Sequence, residues 1–288
     1  MATLKEWFCL GGDRKSFKPQ VLQDRQQVFC HEQEIDGGIL STIERQFAAG
    51  EPIKMMLWGG WGVGKTHAVN HMAWWLEQHL NEYPAEAIIV ELSDVTKKSR
   101  FDILTRSFLD KLTLPRLIEL VHDYSSKAGG THISDGLARI GVVSHVADAI
   151  AKLLLARRGD TPPPDVLTAF EYLKGGKGGS NIGLGQPLNT SEEFYSVLLA
   201  VGHIYQITTG RLLVYVCDEA AKLEDVDKDD ASRQHWMSVN RLIFDDKNDV
   251  FGFVYTMSGV SERHLAKVLQ DNQVLNRLGR ANLIELRT

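Results

Sequence analysis

Residues Gly59-Gly60-Trp61-Gly62-Val63-Gly64-Lys65-Thr66 complete a G-x-x-x-x-G-K-[ST] pattern, and their neighbours leave few folds open to the chain. A mostly apolar run from Ile53 to Trp58 leads in as a strand would. Behind it, Ala68, Val69, Met72, Ala73, Leu76 and Leu80 share one helical face. Strand, glycine turn and helix in that order aim successive backbone N–H groups and a helix N-terminus at one point, which suits an anion. Lys65 is then placed to reach the β- and γ-phosphates of a nucleotide, and the Thr66 hydroxyl to ligate Mg2+. The expected nucleotide contacts run from Gly59 and Gly60 through Trp61, Gly62, Val63, Gly64, Lys65 and Thr66 to His67. A chance glycine-rich turn would not bring four glycines, a lysine and a threonine into register between two correctly patterned elements.

A second apolar run, Leu212-Leu213-Val214-Tyr215-Val216-Cys217, reads as a fully buried parallel strand ending in Asp218-Glu219, the shape of a Walker B motif. The first carboxylates after such a strand stand at the C-terminal edge of the sheet, where open α/β sheets bind ligands. Asp218 is the candidate to hold Mg2+ through its water shell. Glu219 is the candidate base or water-positioner. Carboxylate pairs at strand ends are common, so this pair gains its meaning from the glycine loop. A further strand, Val250 to Tyr255, ends in Thr256-Met257-Ser258-Gly259, where Thr256 or Ser258 either touches the γ-phosphate or the attacking water or serves as an ordinary cap. Near the end, Arg277 and Arg280 flank the last strand, Leu283 to Leu286. They read either as surface ion-pair partners or as groups projecting into a neighbouring subunit's nucleotide site.

The 288 residues, 43% hydrophobic and 24% charged, suit one large α/β domain or two small ones. A net charge of −5 gives no general reason for tight non-specific DNA binding, though a local basic patch stays open. Cys9, Cys30 and Cys217 lack metal-ligand spacing and point to a reduced, cytoplasmic setting. No stretch approaches a membrane span, so the chain is expected to be soluble, without membrane contact.

Residues 1–20 read as an irregular lead-in. A helix carries Ile35, Ile39, Ile43 and Phe47, and a second strand, Ala87 to Val90, ends at Glu91-Leu92-Ser93-Asp94. Lys97-Lys98-Ser99-Arg100, ahead of a helix from Phe101 to Leu112, is either a solvated loop or a nucleic-acid or partner contact. Residues 113–190 look like a helical and Gly-rich insertion, with helices near Leu117 to His122, Ile140 to Arg158 and Val166 to Leu173. Gly175-Gly176-Lys177-Gly178-Gly179-Ser180 opens an expected flexible loop. It does not read as a second phosphate cradle, because no strong strand enters it and no Lys-Ser or Lys-Thr pair follows. Thr190-Ser191-Glu192-Glu193 signals a helix start. Residues 218–230 hold seven acidic side chains, most of them expected in a solvated loop.

The order of these elements resembles the AAA+ branch of P-loop ATPases. Within that branch it is similar to the replication-initiator-like (origin-recognition and STAND-like) group, whose modules open with a pattern like Arg-Glu-x-Glu. The counterpart here is Phe29-Cys30-His31-Glu32-Gln33-Glu34-Ile35, and the resemblance covers roughly residues 21–112 and 190–288. It implies a three-layer α/β core with a central, mostly parallel sheet, and ATP and Mg2+ as ligands. It also implies Thr256 or Ser258 as sensor 1, Arg277 as a finger acting in trans with Arg280 as the nearby substitute, and Val28 and Phe29 lining the adenine pocket.

Three departures stand out. Glu91 and Ser93 occupy the region where the family often places a neutral polar group that restrains the catalytic glutamate, and a Glu91 facing Glu219 would raise the pair's pKa. The 113–190 segment reads as a specialised partner-binding element. The helical lid and any winged-helix domain are not expected before Thr288.

The resulting expectation is an ATPase, with Lys65, Glu219 and Arg277 as its catalytic set, that couples Mg-ATP binding or hydrolysis to oligomeric assembly on a macromolecular partner. The alternative is a nucleotide-gated signalling or defence scaffold with little turnover. A small-molecule kinase would need an acceptor pocket and lid arginines, and no convincing set is found. The partner is expected to be a second copy or another protein, with nucleic acid admitted. Lys97, Lys98 and Arg100, or Lys152, Arg157 and Arg158, would line a ring's channel, although Arg157-Arg158 also suits a helix C-terminus.

Overall fold

The computed structural model describes residues 35–127, 132–245, 247–259 and 265–286. Val28, Phe29 and the 1–20 lead-in lie outside the described residues.

Five strands pair in parallel in the order β2-β3-β4-β1-β5. They are β1 (Lys54–Gly59), β2 (Ala85–Glu91), β3 (Leu212–Asp218), β4 (Phe251–Ser258) and β5 (Leu283–Leu286). Every residue of β1 and β3 is buried, as expected of parallel strands covered on both faces. Alternate side chains divide between two cores. Met55, Leu57, Val214, Val216 and Val254 face a layer containing α1 (Ser41–Ala48) and α2 (Lys65–Gln78), which contribute Ile43, Val69, Met72 and Leu76. Met56, Tyr215, Cys217, Phe253 and Tyr255 face the opposite layer, which includes α3 (Asp102–Leu112), α8 (Ser191–Thr209) and α9 (Asp230–Ile243). The result is the expected three-layer α/β architecture.

Between α3 and α8 run α4 (Leu114–Lys127), α5 (Ile133–Arg139), α6 (Ser144–Lys152) and α7 (Pro164–Leu173), whose apolar faces join the second core. The run expected to be one helix from Ile140 to Arg158 is broken. A turn at Gly141, with φ of 88°, separates α5 from α6, and a 3-10 turn at Leu153–Leu155 follows. Arg157 and Arg158 therefore lie beyond the helix, not at its charged end, and Arg158 pairs with Asp123 of α4.

The glycine-rich segment also differs from expectation. A Cβ on Gly179 would stand 2.3 Å from the Tyr172 ring, and one on Gly176 would stand 2.6 Å from the Glu171 carbonyl oxygen. The Tyr172 hydroxyl donates to the Leu184 carbonyl at 3.1 Å, fastening the segment across α7. These glycines allow close packing in an ordered turn. Downstream, Thr190 caps α8 as its sequence suggests, accepting the Glu193 N–H while the Glu193 carboxylate accepts the Thr190 N–H.

The acidic stretch after β3 is a 3-10 run, Ala220–Lys228, with Ala220, Leu223 and Val226 buried. Asp227 accepts backbone N–H groups of Lys267 and Val268, and Asp229 caps α9 by accepting the Ser232 N–H. These carboxylates hold local structure where a solvated loop was expected. β4 runs on through Thr256 to Ser258, and α10 (Asn272–Leu278) precedes β5. No helix among the described residues is long and apolar enough to cross a membrane.

Gly179→Ala is expected to destabilise the fold by about 1–3 kcal/mol through overpacking against Tyr172. Urea denaturation measures this, and nucleotide affinity should stay unchanged because the segment makes no cradle.

Candidate phosphate-binding site

β1 hands the chain to the glycine loop at Gly59, where a Cβ would stand 2.4 Å from the Leu286 carbonyl oxygen of β5. Only glycine passes there. Gly62 and Gly64 take left-handed backbone, with φ of 78° and 85°, and Gly64 is the residue that opens α2. Val63 is buried beneath the loop, whereas the Trp61 side chain at its tip is 84% exposed. The loop thus presents the first N–H groups of α2 toward one cleft of about 840 Å3. That cleft is lined by Trp61, Lys65, Thr66, His67, Asp218 and Glu219, and it continues along the outer edge of β2 to Glu86.

Lys65 is nearly buried, and its Nζ donates to the carbonyls of Gly59 at 3.1 Å and Gly60 at 2.7 Å. Burial pulls the ammonium's pKa below its ordinary value, against the opposing attraction of Asp218 and Glu219.

The sheet brings β3 to the same rim. β4 lies between β1 and β3, with Gly59 opposite Ser258 and Cys217 opposite Tyr255. Thr66, in the first turn of α2, reaches over the end of β4 so that its Oγ1 donates to Asp218 Oδ2 at 2.7 Å. The other carboxylate oxygen accepts the Thr256 hydroxyl and, at 3.0 Å, the Glu219 N–H. That N–H also lies 3.1 Å from Thr256 Oγ1. The two hydroxyls singled out on β4 therefore separate. Both border the cleft, but Thr256 is fully buried with its hydroxyl committed to Asp218, whereas Ser258 is part-exposed.

Glu219 stands in left-handed backbone, φ 57°, which costs a non-glycine residue about 1–3 kcal/mol. This turn carries the chain off the sheet. The Glu219 carboxylate lies 2.5 Å from Lys222 Nζ, which also lies 3.2 Å from Glu91 Oε1. The juxtaposition of two acids anticipated from Glu91 is thus bridged by a cation. The sequence shows Lys222 as one of two lysines, with Lys228, set against the acids of 218–230 and gives it no place in the site; its one further signal is its position three residues after Glu219.

Two arginines are not brought to this cleft. Arg277 on α10 lies 3.4 Å from Asp245 Oδ2 and donates to the Gln273 carbonyl at 3.2 Å. The Asp245 carbonyl in turn accepts Lys54 Nζ at 2.7 Å, at the start of β1, so Arg277 belongs to the opposite rim of the sheet. Arg280 is exposed and has no ion-pair partner among the described residues. In the basic loop, Lys97 and Lys98 are exposed and Arg100 bonds the Asn189 side chain.

As a cation site, Thr66 and Asp218 supply two hard oxygens in contact, beside a loop that suits phosphate. This is the sparse protein contribution that Mg2+ accepts when phosphate and water complete its octahedron. The residues fit that ion.

No family model matches the sequence, and no curated protein matches it. Among solved structures, the chain is similar to the Aeropyrum pernix ORC1 protein in complex with DNA, with a TM-score of 0.40 and 13% identity. The match covers 94% of this chain and 48% of that one, so the chain spans about half the length of that protein.

The separate placement of the two β4 hydroxyls has a measurable consequence. Thr256→Val, which removes the buried hydroxyl that donates to Asp218 and accepts from the Glu219 N–H, is expected to cost about 1–3 kcal/mol of stability. Ser258→Ala should stay within about 0.5 kcal/mol, both read from denaturant unfolding.

Proposed function

We propose that this protein is a cytoplasmic AAA+-like ATPase that binds Mg-ATP at the glycine loop and hydrolyses it to ADP and phosphate. The observation that carries the reading is the 2.7 Å contact between Thr66 Oγ1 and Asp218 Oδ2, which joins the loop and the acidic strand into one site. Mg2+ held by Thr66 and Asp218 would supply positive charge to offset the charge that develops on the phosphate.

Each residue then has a defined task. The N–H groups of the glycine loop and the start of α2 hold the phosphates, and Lys65 exchanges its loop carbonyls for β- and γ-phosphate oxygens. Thr66 and Asp218 offer the metal their oxygens. Glu219 orders the attacking water, and Ser258, at the cleft wall, is the better placed of the two β4 hydroxyls to meet the γ-phosphate. Val28 and Phe29 are proposed to line the adenine pocket.

The resemblance implies Arg277 as a finger acting in trans, yet its ion pair with Asp245 must break before it can serve. Arg280, without such a tie among the described residues, is the better candidate. In this reading the chain assembles with further copies, on a protein or nucleic-acid partner, with the helical segment between α3 and α8 available for that contact.

Glu219's pairing with Lys222 favours a second reading, a nucleotide-gated scaffold with little turnover. Three variants separate the two. Lys65→Ala is expected to abolish ATP binding in equilibrium dialysis. Glu219→Gln should retain ATP and lose phosphate release. Arg280→Ala should lose roughly 10^3-fold in turnover with binding intact, and mixing it with Glu219→Gln should restore part of the activity if the arginine crosses between copies. Wild-type protein that binds ATP and releases no phosphate would establish the scaffold.

A further inference from the structure

β2 is an edge strand, and its one partner strand among the described residues is β3. Two bonds at its ends fix which way its backbone faces: the Leu212 N–H donates to the Pro84 carbonyl at 2.7 Å, and the Leu92 N–H donates to the Asp218 carbonyl at 3.0 Å. Peptide groups alternate sides along a strand, so Glu86, Ile88 and Val90 direct theirs to β3, whereas Ala87, Ile89 and Glu91 turn their N–H and C=O groups outward. Those outward groups meet no strand among the described residues. Natural edges are blunted by proline, bulges or inward charge, yet Ala85–Glu91 carries Ile88-Ile89-Val90 at its centre and no proline. The cleft of the candidate site passes along this edge, lined there by Glu86, Ala87, Ile88, Ile89 and Glu91. This arm lies on the far side of β3 from the glycine loop, and the phosphate cradle makes no use of it.

The walls select the occupant. α2 covers β2 on the side of Ala87 and Ile89, and α3 covers it on the side of Ile88 and Val90. The edge is therefore the floor of a groove, with Glu77 of α2 on one wall and Lys111 of α3 on the other. A second copy meeting it edge to edge would drive its own flanking helices into these, whereas a single extended segment fits between them. Glu77, Glu86 and Glu91 face the groove against Lys111, and the cations paired with Glu86 and Glu91, Arg211 and Lys222, do not line it. Such a surface favours positive charge over phosphate. From Glu86 to Glu91 the strand offers about 17 Å, the length of five or six extended residues. We propose that the outer edge of β2 is the docking groove for an extended, lysine- or arginine-bearing segment of a partner protein, which joins the sheet as a further strand. Main-chain bonds to Ala87, Ile89 and Glu91 hold the segment, and its alternate side chains meet the acidic wall. Docking here is independent of nucleotide turnover.

The test titrates the full chain with a capped, fluorescent peptide of alternating lysine and valine, reading anisotropy and following hydrogen exchange at Ala87 and Ile89. Binding that slows exchange at both amides is expected. The same peptide N-methylated at every residue, and a glutamate–valine analogue, should each bind about ten-fold or more weakly. Ala87→Pro removes one outward N–H and sets a ring in its place while leaving the bonds to β3, and it should cost the lysine peptide about ten-fold or more. Glu77→Lys, at an exposed position, should weaken the lysine peptide about three- to ten-fold and strengthen the glutamate one, an effect that fades as salt is raised. Thermal unfolding checks the variants, and if Ala87→Pro does not fold, Glu77→Lys and the methylated peptide decide. No binding of the lysine peptide, or equal binding of the methylated or glutamate peptide, overturns the proposal. So does slow exchange at Ala87 and Ile89 in the free chain: independent of protein concentration it assigns the groove to another segment of the same chain, and growing with concentration it assigns it to a second copy.

Discussion

Everything at this rim depends on how the buried Asp218 carboxylate is satisfied. A carboxylate taken out of water needs donors to balance what hydration supplied, and Asp218 has three: the hydroxyls of Thr66 and Thr256 and the backbone N–H of Glu219. Each donor comes from a different part of the fold, respectively the first turn of α2, the end of β4 and the residue after β3. The hydrogen bonds therefore do more than neutralise a cost. They fix the loop, the intervening strand and the acidic strand relative to one another. Strands in a sheet stand about 4.8 Å apart, so β1 and β3 are separated by about 10 Å, a gap that Thr66 closes only because α2 begins above it.

That geometry explains which parts of the fold were legible in the sequence. β1, α2 and β3 announce themselves through short-range patterns, a glycine motif between a strand and a helical face, and an unbroken apolar run ending in two acids. Thr190 and Glu193 likewise carry their capping instruction within four residues. The contacts that complete the site are of another kind. Thr66 and Asp218 are 152 residues apart, Asp218 and Thr256 38, and Glu91 and Lys222 131. No local periodicity encodes such pairings, so Thr256 and Ser258 look alike until the register of β4 separates them, and Lys222 looks like one more charge in an acidic stretch. The glycines at 176 and 179 mislead for a related reason. Composition suggests freedom, whereas the Tyr172 ring and the Glu171 carbonyl leave no room for a side chain.

The two rims of the sheet differ in how their charges are committed. At the far rim, Lys54 donates to the Asp245 carbonyl while Arg277 sits against the Asp245 carboxylate, tying the start of β1 to α10. At the near rim, the charged groups around the cleft hold one another: Lys65 the loop carbonyls, Lys222 the two glutamates. The far-rim contacts knit the fold together. Those at the near rim are exchangeable, since each sits where phosphate, metal or water competes for it.

Exchange of this kind sets the energetics of ligand binding. A phosphate entering the loop does not meet bare donors. On the proposed reading it would displace two carbonyls from Lys65, and a cation held by Thr66 and Asp218 would displace their hydrogen bond, so the gain is a difference between contacts of similar type. The cost of organising the site is correspondingly small, because Gly62, Gly64 and the opening of α2 already hold the curved backbone. Affinity is thus tempered while geometry is kept. Glu219 follows the same logic at the other end of the cleft, where its left-handed backbone fixes where the side chain begins and its partner decides where the carboxylate rests. The rim is organised in its backbone and negotiable in its side chains, as the proposed uptake and release of a highly charged ligand would require.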